Sequence, residues 1–297
     1  MSERERWIGL LAGLGAASIW GGLYVVSKVV LDHIPPFTLL LIRLLIGGGV
    51  IGLFAWRTAW QPVNRRQWFD LLLVGFTGYG VSLGLQFIGT QLSTAANGAV
   101  ITAATPAFVF LFAYWLLGER ITPRRWLALG IATLGVLLVI DLRAARLTPD
   151  LFRGNLLLVG AGLTWALHSV LVRRASRELN TLMVSFWAFL GGLAFAIPAS
   201  AWELAQGVTL HWSPGVLAGV LYISIISTAL AVYLWNTAFR LLDAGAASLT
   251  FFAQPLVGTL LGVAFLGERL NNFFLAGGFL IGAGLWLSSG KRKSAAV

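Results

Sequence analysis

The chain has 297 residues, of which 58% are hydrophobic and only 11% charged, and its mean hydropathy is +0.84. A soluble domain needs roughly a quarter of its residues charged to make a hydrated surface, so that class is excluded. Cysteine is absent, which removes disulfides, thiolate metal sites and a cysteine nucleophile. The net charge of +10 sits in short clusters between apolar runs, where it reads as a membrane topology signal and not as a nucleic-acid stripe.

A membrane-spanning helix needs about 20 mostly apolar residues. Ten segments meet or approach this, at roughly 7–31, 36–56, 68–90, 95–117, 124–140, 152–173, 181–204, 213–239, 244–266 and 272–289. The charged start, Met1 to Arg6, resembles the head of a signal peptide. The apolar run behind it has no small-residue cleavage site, so it reads as a retained first span. Pro35 and Pro36 separate the first two spans, and Pro123 and Pro214 suit helix starts, where a missing N–H removes no bond. The fifth segment is short and predicts a thin or tilted helix. A β-barrel would show alternating stretches of about ten residues, which this chain lacks. The expected fold class is therefore an all-α membrane protein.

Lys and Arg collect on the cytoplasmic side of membrane proteins. With the N-terminus in the cytoplasm, that side receives Arg4, Arg6, Arg57, Arg65, Arg66, Arg120, Arg124 and Arg125. It also receives Arg173, Arg174, Arg177, Arg240, Lys291, Arg292 and Lys293. Arg143, Arg146, Arg153 and Arg269 fall on the other side. The bias places both termini in the cytoplasm.

An internal repeat organises the chain. Thr105-Pro106 followed by Leu117-Gly118-Glu119-Arg120 recurs, at one constant offset, as Gln254-Pro255 followed by Leu266-Gly267-Glu268-Arg269. Gly9, Ala16, Trp20 and Lys28 likewise echo Gly154, Ala161, Trp165 and Arg173. The predicted units are a first five-helix repeat over 7–141, a second over 152–289, and a basic tail over 290–297. An odd number of spans per unit inverts the second repeat in the bilayer. Inverted repeats are a transporter architecture, because two related halves can exchange conformations around a central site.

The paired Pro-to-LeuGlyGluArg stretches resemble the EamA-type ten-helix members of the drug/metabolite transporter superfamily. So do Trp20, Arg43, and Gln86 ahead of Asn97 and Pro106. The resemblance spans nearly the whole chain, with EamA-like repeats at about 9–140 and 154–287. It implies a central cavity lined by the first, third, fourth, sixth, eighth and ninth helices. It also implies that the fifth and tenth helices lie away from it and support homodimer contacts, and that the substrate is a small metabolite. Members export amino acids, nucleobase-like metabolites or toxic cations, and some import sugars.

Polar side chains inside a membrane are costly unless paired or wet, which makes them candidates for substrate contact. On the first helix Trp20, Tyr24 and Lys28 share a face, and aromatic rings there suit an apolar or cationic moiety. Trp165, His168 and Ser169 offer the related face of the sixth helix. The third helix supplies Tyr79, Ser82 and Gln86, the fourth Asn97 and Thr102, the eighth Tyr233 and Asn236, and the ninth Phe251 and Gln254. Arg43, seven residues into the second helix, is assigned a structural role. Pro106 and Pro255 are assigned as matched kinks. Glu119, Arg120, Glu268 and Arg269 stand at helix ends and read as charge pairs or caps, not as proton carriers.

His33, His168 and His211 lie far apart and no metal-ligand spacing occurs, so no metal, cofactor or catalytic residue is expected. The expected function is a secondary transporter in the cytoplasmic (inner) membrane, working by alternating access and exporting amino acids or related amphipathic metabolites. Its expected partners are that substrate and the membrane lipids, not nucleic acid. A channel, a non-transport structural protein and a multidrug or toxic-cation exporter remain open at this point.

Overall fold

The computed structural model describes residues 2–58, 60–93, 101, 104–139, 149–266 and 273–288. No strand occurs among them, and ten helical elements follow in chain order. They are α1 (Glu3–Leu31), α2 (Pro36–Thr58), α3 (Arg65–Leu92), α4 (Thr105–Leu117), α5 (Pro123–Val139), α6 (Pro149–Ala175), α7 (Thr181–Ala205) and α8 (Pro214–Leu241). The ninth, α9, covers 244–266 with a 3₁₀ turn at Thr250–Phe252, and α10 is Phe274–Ser288. Seven of the ten, α1 to α3 and α6 to α9, carry a stretch long and apolar enough to cross a bilayer, and α4 and α10 are shorter apolar helices. The chain therefore folds as an all-helical multi-pass membrane protein.

Local chemistry accounts for the helix ends. Ser2 and Glu5 form a capping box ahead of α1, and Asn64 with Gln67 forms another ahead of α3. Asn180, Ser213 and Asp243 cap α7, α8 and α9 with their side-chain oxygens. Gly118 ends α4 in the left-handed region at φ 65, a conformation that disfavours any residue with a Cβ.

Pairing between helices has an internal symmetry. The first helix, α1, packs on α8 and α9, and α6 packs on α3 and α4. Likewise α3 packs on α7 and α2 on α8. Adding or subtracting five helix numbers exchanges each of these contacts with its partner. It leaves α2–α7 and α5–α10 unchanged. Two five-helix halves thus interlock about a pseudo-two-fold axis. Even the irregularities match, since α3 widens into a π-helical stretch at Phe76–Ser82 and α8 does so at Tyr222–Leu230.

Close approach between helices depends on absent side chains. A Cβ at Gly75 of α3 would overlap the Ala188 carbonyl of α7, and one at Gly191 of α7 would overlap the Leu72 carbonyl of α3. A second, smaller core joins α5 and α10, with Ala128, Ala132, Val136 and Ile281 buried, to Phe110 of α4 and to Leu249 and Phe252 of α9. The main core lies between the other eight helices.

Candidate functional site

Where the two halves meet, α1 and α6 present their aromatic faces to one another. Trp20 and Trp165 pack edge to face, with ring centroids 5.4 Å apart and planes at 85°. Phe251 of α9 stands 5.9 Å from Trp20, and Trp235 of α8 stands 5.3 Å from it. The 3₁₀ turn of α9 sets Phe251 into this cluster, and Pro255 follows in the first turn of the Ala253–Leu266 stretch. Pro106 likewise sits in the first turn of α4 as described. Pro255 thus follows an irregularity inside α9, as a matched kink would require, and residues 102 and 103, ahead of Pro106, lie outside the described ones.

Of these rings, Trp20, Trp165 and Phe251 floor a cavity with about 600 Å³ of empty space, its mouth included. Its apolar wall comprises Trp20, Leu23, Leu83, Leu158, Ala161, Gly162, Trp165, Val232 and Phe251. Its polar wall comprises Tyr24, Arg43, Ser82, Gln86, Thr105 and Gln254. The contributing helices are α1, α3, α4, α6, α8 and α9, joined by α2 through Arg43. None of the lining residues comes from α5 or α10.

Several polar groups have their bonds within the wall. Gln86 Nε2 donates to Tyr24 Oη over 3.1 Å, and Ser82 Oγ donates to the Ala161 carbonyl over 2.8 Å. Trp20 Nε1 donates to the Ser227 carbonyl over 2.9 Å, in the π stretch of α8. Other groups are left over. Arg43 Nη1, Trp165 Nε1 and Gln254 Oε1 are buried without a hydrogen-bond partner among the described residues. A buried polar atom in that state costs about 1–3 kcal/mol, which is offset when a ligand or water satisfies it.

Other candidates from the sequence lie elsewhere. Tyr79, His168, Ser169 and Asn236 are fully buried and do not line the cavity. Asn236 Nδ2 donates to Tyr79 Oη over 3.1 Å and to Ser185 Oγ over 2.8 Å, and Trp235 Nε1 donates to Ser169 Oγ over 3.0 Å. His168 Nδ1 lies 3.0 Å from the Val74 carbonyl. Tyr233 is half-buried outside the lining set. Lys28 is exposed, and its Nζ donates to the Ser93 carbonyl over 3.3 Å. Asn97, Thr102, Glu268 and Arg269 lie outside the described residues.

Each end of the helix bundle carries a partly or fully buried carboxylate that binds a helix start. Glu119 accepts from Arg173 Nε over 2.7 Å and from the Ala244 N–H of α9 over 3.0 Å. Arg173 also donates to the Phe239 carbonyl over 2.8 Å and to the Leu242 carbonyl. Arg125 pairs with Asp243 beside them, while Arg120, next to Glu119, is exposed. At the opposite end, Glu203 of α7 accepts from the backbone N–H of Phe37 (3.2 Å) and Thr38 (2.7 Å), and from the Thr38 hydroxyl (2.8 Å). Sequence reasoning missed Glu203. The only signal was an acid near the end of an apolar run, indistinguishable from a headgroup contact.

The EamA-like transporter family model matches residues 7–141 and 152–290. An uncharacterized transporter of Bacillus subtilis, YetK, is 26% identical over 97% of this chain and 89% of its own length. A Pseudomonas aeruginosa protein named "Probable biotin transporter" is 29% identical over 91% of this chain and 93% of its own. Protein PecM of Dickeya dadantii is 28% identical over 88% and 86%. A solved crystal structure at 21% identity superposes with a TM-score of 0.78 over 94% of this chain and 96% of that one, which supports the fold. The interlocked helical halves, the interfacial cavity and the two matched stretches place the protein in a membrane where it serves a small-molecule substrate: the chain belongs to the EamA-like transporter family.

Proposed function

We propose that the protein is a secondary carrier of a small amphipathic metabolite, of the amino-acid kind, and that it works by alternating access in the cytoplasmic membrane. One observation carries this reading. The cavity lies between the two halves, with an apolar floor of Trp20, Trp165 and Phe251 and a polar wall of Tyr24, Ser82, Gln86 and Gln254. Such a wall suits a molecule with an apolar body and a polar head.

Under the orientation given by the basic clusters, both termini are cytoplasmic. The cavity then faces the outside, because it runs toward Tyr24, Gln86 and Leu158, near the outer ends of α1, α3 and α6. The floor and the Glu119–Arg173 pair close the cytoplasmic end. Rocking of the 7–141 unit against the 152–289 unit would exchange which end is closed. Export is the direction suggested by the family resemblance, and the α5–α10 pair is the surface on which a second copy would dock. The chain binds and moves its substrate without chemical change.

Counterflow in proteoliposomes tests the reading. L-Tryptophan loaded inside should accelerate entry of labelled L-tryptophan, with flux saturating at high concentration. Flux that stays linear in concentration and is blind to solute on the far side would make the protein a channel. A panel of amino acids, nucleobases and organic cations gives the substrate class, and reversing the gradient gives the direction.

A further inference from the structure

Among the described residues the cavity wall contains one charge, and nothing neutralises it. Arg43 is 1% exposed. The two ion pairs among the described residues are Arg125–Asp243 and Arg173–Glu119, and Arg43 belongs to neither. Burying an unpaired ion costs several kcal/mol even after local relaxation. An intramembrane cation is therefore expected to meet a counter-charge during its working cycle.

The surroundings hold this guanidinium in place without neutralising it. Arg43 Nε donates to Thr228 Oγ1 over 2.9 Å, and that hydroxyl donates onward to the Ile223 carbonyl over 2.6 Å. The acceptor is five residues back, inside the π stretch of α8. Phe87 lies under the guanidinium, its ring centre 5.2 Å from Cζ. One edge and one face are thus engaged by neutral groups, while Nη1 remains unpaired. A second unpaired donor, Trp165 Nε1, belongs to the same cavity. An unpaired cationic donor in the wall suits an acceptor-only, anionic group.

We propose that Arg43 is the anion anchor of the substrate site and that the transported metabolite carries a carboxylate. This rests on the carrier reading above and deepens it. The carboxylate binds the free edge of the guanidinium, with Trp165 Nε1 as an additional donor, while the apolar body lies on Trp20 and Phe251. The neutral Gln254 amide accepts from whatever N–H or O–H the substrate carries. Organic cations and carboxamides are selected against, because they leave the Arg43 charge buried and unmatched.

The test uses the purified full chain in nanodiscs. Half-saturating concentrations are read from thermal shifts for matched pairs: L-tryptophan against L-tryptophanamide, and biotin against biotinamide. At least one acid should bind about tenfold or more tightly than its amide, as a charge-assisted bond would give. The preference should vanish in Arg43→Gln and be reduced in Arg43→Lys, which keeps the charge and loses the fork. Equal binding of acid and amide by the unaltered protein overturns the anchor and needs no variant to fold. A preference that survives Arg43→Gln overturns it as well. Saturable counterflow of a cation or neutral solute, with no acid bound, leaves the carrier standing and removes the anchor. Absence of saturable flux for every solute in the panel removes the carrier, and the anchor with it.

Discussion

Arg173 Nε lies 2.7 Å from Glu119 Oε1, joining the end of α6 in one half to the end of α4 in the other. Both side chains are mostly shielded, at 17% and 14% exposure, so solvent screens the pair less than a surface ion pair. Glu119→Ala should lower stability by roughly 2 kcal/mol, since it strands a guanidinium and the Ala244 N–H. Glu119→Gln should cost less, because its carbonyl still accepts from Ala244. The chain has no cysteine, so a single Phe239→Cys label reports on the same region. In Glu119→Ala it should react faster with a polar maleimide than in the parent. Equal rates would mean that the pair does not hold this end shut.

Trp20 separates packing from hydrogen bonding. Trp20→Phe keeps a ring against Trp165, Trp235 and Phe251 but loses the bond to the Ser227 carbonyl. It should cost about 1 kcal/mol of stability and weaken substrate binding. Trp20→Ala opens a void and should cost about 3–5 kcal/mol. Thermal unfolding and counterflow on the same samples check both. Full flux in a folded Trp20→Ala protein would remove this ring from the substrate site.

Gly75→Ala should be poorly tolerated, because the added methyl would meet the Ala188 backbone, which has no rotamer with which to yield. A loss of about 1–3 kcal/mol is expected for such overpacking. Gly49→Ala is the control, with nothing within 4 Å of its Cβ, and should be neutral or slightly stabilising. Melting temperatures of the two variants should differ in that order.

Glu203 is predicted to hold the start of α2. Glu203→Ala leaves the Phe37 and Thr38 N–H groups without that acceptor and should cost about 1–3 kcal/mol. Glu203→Gln should recover part of the loss. Hydrogen exchange at Phe37 and Thr38 should rise in step with the lost stability. Unchanged exchange there would show that another group takes over the cap.

Reporters placed after Lys293 and within 141–153 should mark opposite sides of the membrane, the first cytoplasmic. The expectation rests on the basic clusters and on an odd number of spans per half. Signals on the same side would contradict the inverted arrangement of the halves.

The helices themselves were legible in the chain. The segments read at 36–56, 124–140, 181–204 and 213–239 correspond to Pro36–Thr58, Pro123–Val139, Thr181–Ala205 and Pro214–Leu241. Bilayer thickness demands long apolar runs, and Pro, Asn, Asp and Ser mark where they stop. Much of the cavity was legible too. Trp20, Tyr24, Ser82, Gln86, Trp165, Phe251 and Gln254 all line it, because residues three and four apart share a helical face.

What faces what was not legible. Tyr79, Ser169 and Asn236 have the composition of substrate contacts, yet Asn236 bonds Tyr79 and Ser185, and Ser169 bonds Trp235 and the Trp165 carbonyl, behind the floor. Arg173, read as one of the cytoplasmic basic residues, reaches Glu119 and the carbonyls of Phe239 and Leu242. Arg43 looked structural and stands in the cavity wall. Sequence by itself determined that the chain crosses the membrane many times, that its second half repeats the first, and where helices such as those from Pro36, Pro123, Thr181 and Pro214 begin. These follow from local spacing and transfer energies. Only the tertiary structure decided which polar groups found partners, since a hydrogen bond depends on the helix opposite, and residues such as Arg43 and Thr228 stand far apart along the chain.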